Sequence, residues 1–206
     1  MKHARTGVAA FGAALSLSLL AGCGQPDDAA PAAPPAHTAH GDHAPEQPAP
    51  EQPAAPEHND VDVMFAQGMV PHHQQALDMS RMAATNAESQ QVKDLAARIE
   101  AAQGPEIAKL NGWLRDWNAT GHGDHGGHAM TGMMSSDEMA ALGQAKGAEF
   151  DQKFLMLMIK HHEGAVAMAR TEVDKGRFPD TQQMAREIMI SQQSEIDSMR
   201  TMLTQH

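Results

Sequence analysis

Two stretches of this chain, 89 positions apart, carry the same side chains around a doubled histidine, and that repeat constrains the fold more than any other feature. Asp62, Phe65, Met69, His72, His73, Ala76 and Met79 recur as Asp151, Phe154, Met158, His161, His162, Ala165 and Met168. Neighbouring matches within each set are mostly three or four apart, so on a helix turning about 100° per residue they cluster on one face. The register continues at the same offset of 89 through Ala96 and Ala185, Ile99 and Ile188, Gln103 and Gln192, Glu106 and Glu195, Ile107 and Ile196, and Leu114 and Leu203. A match that survives across two helices and their connection implies duplication of a helical hairpin. Two such hairpins pack most simply as a four-helix bundle with a pseudo-two-fold axis, which lets the two histidine helices face each other.

Local signals give the element borders. Asn59 or Asp60 can cap a helix running to about Thr85, and a second helical pattern runs from about Ser89 to Trp117. A Gly- and His-rich loop over about 118–134 follows. Ser135 with Glu138 three residues on reads as a capping box opening a short helix to about Leu142, which Gly143 and Gly147 interrupt. The next helix spans about Ala148 to Lys175 with Gly176 as its stop, and Asp180 with Gln183 caps a last one to about Leu203. Pro71 should bend the first helix by removing the donor for the Gln67 carbonyl, and Gly104-Pro105 predicts a break in the second. The expected fold of 59–206 is therefore all-α, with four long helices and a short extra one before the third.

The N-terminal part has another character. Lys2 and Arg5, an apolar run from Val8 to Leu20, and Leu20-Ala21-Gly22-Cys23 describe a secretory signal over 1–22. The run is shorter than the roughly 20 apolar residues a spanning helix needs. The ending resembles a bacterial lipobox, so lipid attachment at Cys23 and export to the outer face of a bacterial membrane, in the periplasm or cell envelope, are expected. Residues 23–58 form a Pro- and Ala-rich tether that includes His37, His40, His43 and His58. The formal charge of −11 becomes −13 once Lys2 and Arg5 leave, which argues against nucleic acid as a partner and suits attraction of cations. Protein partners and homo-oligomerisation stay open.

With its one cysteine lipidated, soft donors must come from methionine, and the chain holds 16 Met and 13 His but no Tyr. A Met-rich core is the bland explanation, since thioethers fill gaps well. A single buried histidine is likewise most simply a hydrogen-bonded core residue. Two Met-x-x-His-His copies in one phase shift the balance, because burying four imidazoles without a use is costly. Met69, His72, His73, Met158, His161 and His162 are the candidate metal ligands; His72 and His73 point about 100° apart, so each helix offers one Met and one His, with the second His at the rim. Asp62, Asp151, Met79 and Met168 are secondary candidates, and for the two aspartates helix capping or orienting a histidine competes with ligation. A loop with His122, His125, His128, Met130, Met133 and Met134 reads either as a capture loop or as a plain connector.

At these motifs, with the Gln-x-x-Glu-Ile of the partner helices, the chain resembles domain-of-unknown-function family 305. The resemblance covers about 60–206. It implies a ferritin-like bundle exported from bacteria, and it is similar to cyanobacterial relatives implicated in periplasmic copper binding and resistance. The same Met and His residues inherit the ligand role on that pattern. Donor chemistry agrees: Met favours Cu(I), His serves Cu(I) and Cu(II), and zinc sites favour Cys, His and carboxylate. Iron is disfavoured because no Glu-x-x-His occurs, although Glu106, Glu163 and Glu195 could supply carboxylates. The expected role is copper sequestration, tolerance or delivery, with no catalytic residue assigned. A ferritin-like metal oxidase, a His/Met haem protein and a metal-free structural or partner-binding lipoprotein remain as alternatives.

Overall fold

The computed structural model describes residues 57–120 and 131–204. It is all-α: α1 (Asp60–Asn86), α2 (Gln90–Asp116), the short α3 (Ser136–Gln144), α4 (Gly147–Lys175) and α5 (Pro179–Leu203). None of the described helices is long and apolar enough to cross a membrane. α1 starts where the Asn59 carboxamide accepts from the Val61 and Asp62 amides at 2.9 and 3.1 Å while the Asp62 carboxylate accepts from Asn59 N at 2.6 Å. The expected box at Ser135 and Glu138 opens α3 with both reciprocal bonds formed.

α1 pairs with α2 and α4 with α5, and the two hairpins meet chiefly along α1 and α4. These two helices run antiparallel, because the Asn59 side chain at the start of α1 donates to the carbonyl of Lys175 at the end of α4. The core falls into two apolar clusters. One gathers Met79, Leu95, Ile99, Phe150, Phe154 and Met158; the other gathers Phe65, Met69, Leu110, Ala165, Met184 and Ile188. On α1 and on α4 the doubled histidines lie between the residues of one cluster and those of the other, so a polar layer cuts the core in two. Each buried Leu, Ile or Phe stabilises the bundle by about 1.5–3 kcal/mol, which is what tolerates such a layer.

Three expectations need correction. α2 runs unbroken through Pro105, which is exposed along with Ala101, so the carbonyl that loses its partner there lies on the solvent side. At Pro71, where a bend rather than a break is expected, α1 is continuous and the ring is exposed. Asp180 does not cap α5: Phe178 is the N-cap residue, Pro179 sits at the first turn, and the Phe178 amide goes to Asp62 of α1. Gly176 does end α4 as expected, but in an extended conformation (φ −64°), so it is glycine for space, a Cβ there falling 2.2 Å from Glu172 Oε1. Gly143 lies inside α3, whereas Gly147, at φ +62°, does mark the start of α4.

Candidate metal centre

The four imidazoles of the repeated motif are all 0 % exposed. His72 and His161 meet across the α1–α4 seam with ring centroids 3.8 Å apart and planes tilted by 38°. His73 and His162 turn to their own hairpin partners, His73 Nε2 lying 2.7 Å from Glu106 Oε2 on α2 and His162 Nε2 lying 2.7 Å from Glu195 Oε2 on α5. Both nitrogens of His72 and of His161, and Nδ1 of His73 and of His162, are buried without a hydrogen-bond partner. Burial, reinforced by the neighbouring rings of His73 and His162, pushes the His72 imidazole down to about 3. The Thr131 backbone approaches that ring and opposes the shift, yet closes no hydrogen bond on either nitrogen. His161 is driven well below the ordinary histidine range by burial and then by His72, His162 and His73. The inner pair is thus neutral at physiological pH, with lone pairs available inside a buried layer.

Met69 and Met158 are both fully buried, but in different core clusters on opposite sides of this layer. The structure therefore brings the histidines together and sets the two thioethers apart. Among the described residues no three His, Cys, Asp or Glu side chains close on a single point. Met79 shares the cluster of Met158, Met134 is buried in it, and Met168 packs half-buried against the other cluster. His122, His125, His128, Met130, Cys23, His37, His40 and His43 lie outside the described residues. His58 is exposed and stacks on Trp117 at 4.5 Å.

Asp62 and Asp151 act as caps. Asp62 accepts from the amides of Arg177 and Phe178 at 2.9–3.1 Å and from the Thr181 hydroxyl at 2.8 Å. Asp151 accepts from Glu88 N at 3.2 Å and Ser89 N at 2.7 Å, ahead of α2. Each carboxylate is spent on backbone N–H groups at the far end of the other hairpin, which removes both from the ligand set. Glu163, on the surface, pairs with Arg200.

A family model described as Domain of unknown function (DUF305) matches residues 62–203. The chain belongs to that family. It is 32 % identical to a DUF305 protein from Streptomyces coelicolor described as secreted, with a TM-score of 0.66 over 70 % of this chain and 93 % of that one. A DUF305 fragment from Deinococcus radiodurans is also 32 % identical, with a TM-score of 0.67 over 73 % of this chain and all of the fragment. CopM in its Cu(II)-bound form is 35 % identical, with a TM-score of 0.59 over 70 % of this chain and 96 % of that one, and CopM is also known in Cu(I)-bound and Ag-bound forms. Among curated proteins, an uncharacterized protein of Acanthamoeba polyphaga mimivirus is 40 % identical over 53 residues, which is 26 % of this chain; the match spans about a third (35 %) of that relative's length.

The DUF305 domain also holds features that sequence reasoning missed. Residues 131–134 lie as a strap over the histidine layer. Gly132, at φ +86°, and Gly164 of α4 press backbone to backbone, so that a Cβ on Gly164 would fall 2.1 Å from Thr131 O. On the α1 side Gln75 grips Met134 twice, accepting from its amide at 2.7 Å and donating to its carbonyl at 2.9 Å. Gln75 and Gly164 are themselves 89 apart. The pairing of Glu106 and Glu195 with the outer histidines had one available signal, their shared offset.

Proposed function

We propose that this protein holds copper as cargo outside the cytoplasm, in the histidine layer between α1 and α4, with Met69 and Met158 as flanking sulfur donors. Residues 1–22 serve as export signal, Cys23 carries the lipid, and 23–58 tether a bundle derived from a duplicated hairpin. One observation carries the reading: six imidazole nitrogens lie buried and unpartnered in one layer. Leaving a buried polar atom unpartnered costs about 1–3 kcal/mol, so a layer of six is retained only if something meets them. Imidazole and thioether donors select copper over hard cations, and sulfur on either flank suits Cu(I) as ring nitrogen suits Cu(II). Of the carboxylates that would favour iron, Asp62 and Asp151 cap helices and Glu163 faces solvent, while Glu106 and Glu195 are each bonded to an outer histidine. The Cu(I), Cu(II) and Ag forms of CopM belong to a relative with the same fold and support the choice.

The test is titration of the purified protein with Cu(I) and Cu(II) under competition with a chelator. The native chain should bind stoichiometrically, and His73→Ala with His162→Ala should remove the tight component while helicity by circular dichroism stays. Tight binding retained in that double variant would move the site out of the layer. Oxygen uptake with Fe(II) or Cu(I) should be absent; steady turnover would make the protein an oxidase.

A further inference from the structure

The two outer histidines differ from the two inner ones in a way the copper reading leaves unused. His73 and His162 each place Nε2 2.7 Å from a carboxylate oxygen, each across a separation of 33 residues, and each keeps Nδ1 buried and without a partner. The inner rings have no carboxylate on either nitrogen. The same geometry recurs in both hairpins at equivalent positions. The rings are 0 % exposed, while the side chains of Glu106 and Glu195 are 24 % and 22 % exposed, so each carboxylate sits at the wall of the bundle with its ring wholly inside.

We infer that Glu106 and Glu195 are positioning residues: each fixes its histidine with the ring hydrogen on Nε2, so that Nδ1 of His73 and of His162 is the atom presented to the ion. This rests on the copper reading for the identity of the ion. A carboxylate can only accept, so a nitrogen 2.7 Å from it carries the hydrogen, and in a neutral ring the other nitrogen is left with its lone pair. The opposite tautomer sets two lone pairs against each other at the wall and buries an Nδ1 hydrogen with no acceptor, which costs on both counts. A histidine bound to a metal through one nitrogen commonly donates from the other to a carboxylate, which orients the ring and raises its basicity. Glu106 and Glu195 supply that support before any ion arrives. His72 and His161 lack it and are free to choose either nitrogen, so the layer combines two preset donors with two adaptable ones.

Nitrogen-15 NMR of the metal-free protein, labelled at histidine, tests the first half without copper. His73 and His162 should show a protonated Nε2 and a bare Nδ1. Glu106→Gln with Glu195→Gln, whose amide oxygen can still accept, should keep that signature. Glu106→Leu with Glu195→Leu should scramble it while thermal unfolding remains cooperative. Copper titration tests the second half: the Leu pair should lose roughly 10- to 100-fold in affinity, and the Gln pair much less. A hydrogen on Nδ1 in the native metal-free protein overturns the inference, as does unchanged affinity in a Leu pair whose tautomers have scrambled. A native chain that binds no copper overturns the copper reading and with it the metal half, while the NMR result still decides what the carboxylates hold.

Discussion

The two ends of the bundle use one device at two levels of elaboration. At one end Asp151, near the start of α4, takes two backbone amides before α2. At the other Asp62, near the start of α1, takes the amides of Asn59, Arg177 and Phe178 and the hydroxyl of Thr181. Where Thr181 and Glu172 adjoin Asp62 and Gly176 makes room for Glu172, the positions 89 earlier hold Val92, Ala83 and Ala87. Burial alone would raise the Asp62 carboxyl, but the Asn59 amide, the adjoining Glu172, the Phe178 amide and Thr181 together hold it below its ordinary value. A carboxylate can therefore be buried completely if enough donors converge on it.

The largest expected effect breaks this comparison directly. Asp62→Ala strands three amides, leaves the Thr181 hydroxyl only the Phe178 carbonyl, and should cost about 3–5 kcal/mol, whereas Asp151→Ala strands two amides and should cost about 1–2 kcal/mol. Urea unfolding of both variants measures the gap. Equal losses would mean that the extra donors at the Asp62 end add nothing.

Gln75 and Gly164 pose the same question in the middle of the molecule, where one strap must rest on two equivalent positions. Replacing a helical glycine by alanine ordinarily stabilises by about 1 kcal/mol. Gly164→Ala should instead destabilise by about 2–4 kcal/mol, because the new Cβ meets Thr131 O at 2.1 Å, backbone against backbone. Gln75→Ala loses two hydrogen bonds and should cost about 1–2 kcal/mol. Thermal unfolding checks both, and a stabilised Gly164→Ala would show that the strap does not sit on α4.

Much of the bundle was legible because it is written locally. Apolar periodicity, Asn59 and the Ser135–Glu138 box place all five helices to within a residue or two, and the shared phase of the doubled histidines puts them on the seam. What was not legible depends on distance in sequence. The amide that Phe178 donates goes to a side chain 116 residues away, so no local rule could assign what satisfies the first turn of α5. Pro105 is tolerated because it faces water, which only packing decides. The separation of Met69 from Met158 follows from antiparallel packing: residues on the axis meet, and residues one turn before it part to opposite sides. Gly176 reads as a helix stop in sequence, but Glu172 is what demands it.

Glu172 sharpens the comparison by pH. Burial first, then the adjoining Asp62 charge, raise its carboxyl to about 7 from an ordinary value of 4.5, with Thr181 partly offsetting. A folded-state value above the unfolded one means that its stabilising contribution is complete below pH 4.5 and is lost as the pH rises through about 7. Asp62 runs the other way, losing its contribution only as the pH falls below 3.8. Native stability should thus decline between those limits and pH 8, and Glu172→Gln should remove the decline, gaining about 1–3 kcal/mol at pH 8 and little at pH 4.5. Urea midpoints across that range test it; a variant with the native slope would place the titration elsewhere.

The smallest effect concerns position 160, where α4 has a lysine and α1 has Pro71. Lys160 Nζ donates to Glu138 of α3 at 2.8 Å, joining the short helix to the seam one residue before His161. Both partners are open to solvent, so the attraction is screened and holding two long side chains in place offsets much of it. Lys160→Ala should change stability by less than about 0.5 kcal/mol, and Glu138 should keep its capping bond to Ser135 N. Added salt should erase even that difference. A loss several times larger would mean that α3 is pinned to the histidine layer by this pair rather than by Leu142, which is fully buried in the core cluster of Met79, Met134 and Met158.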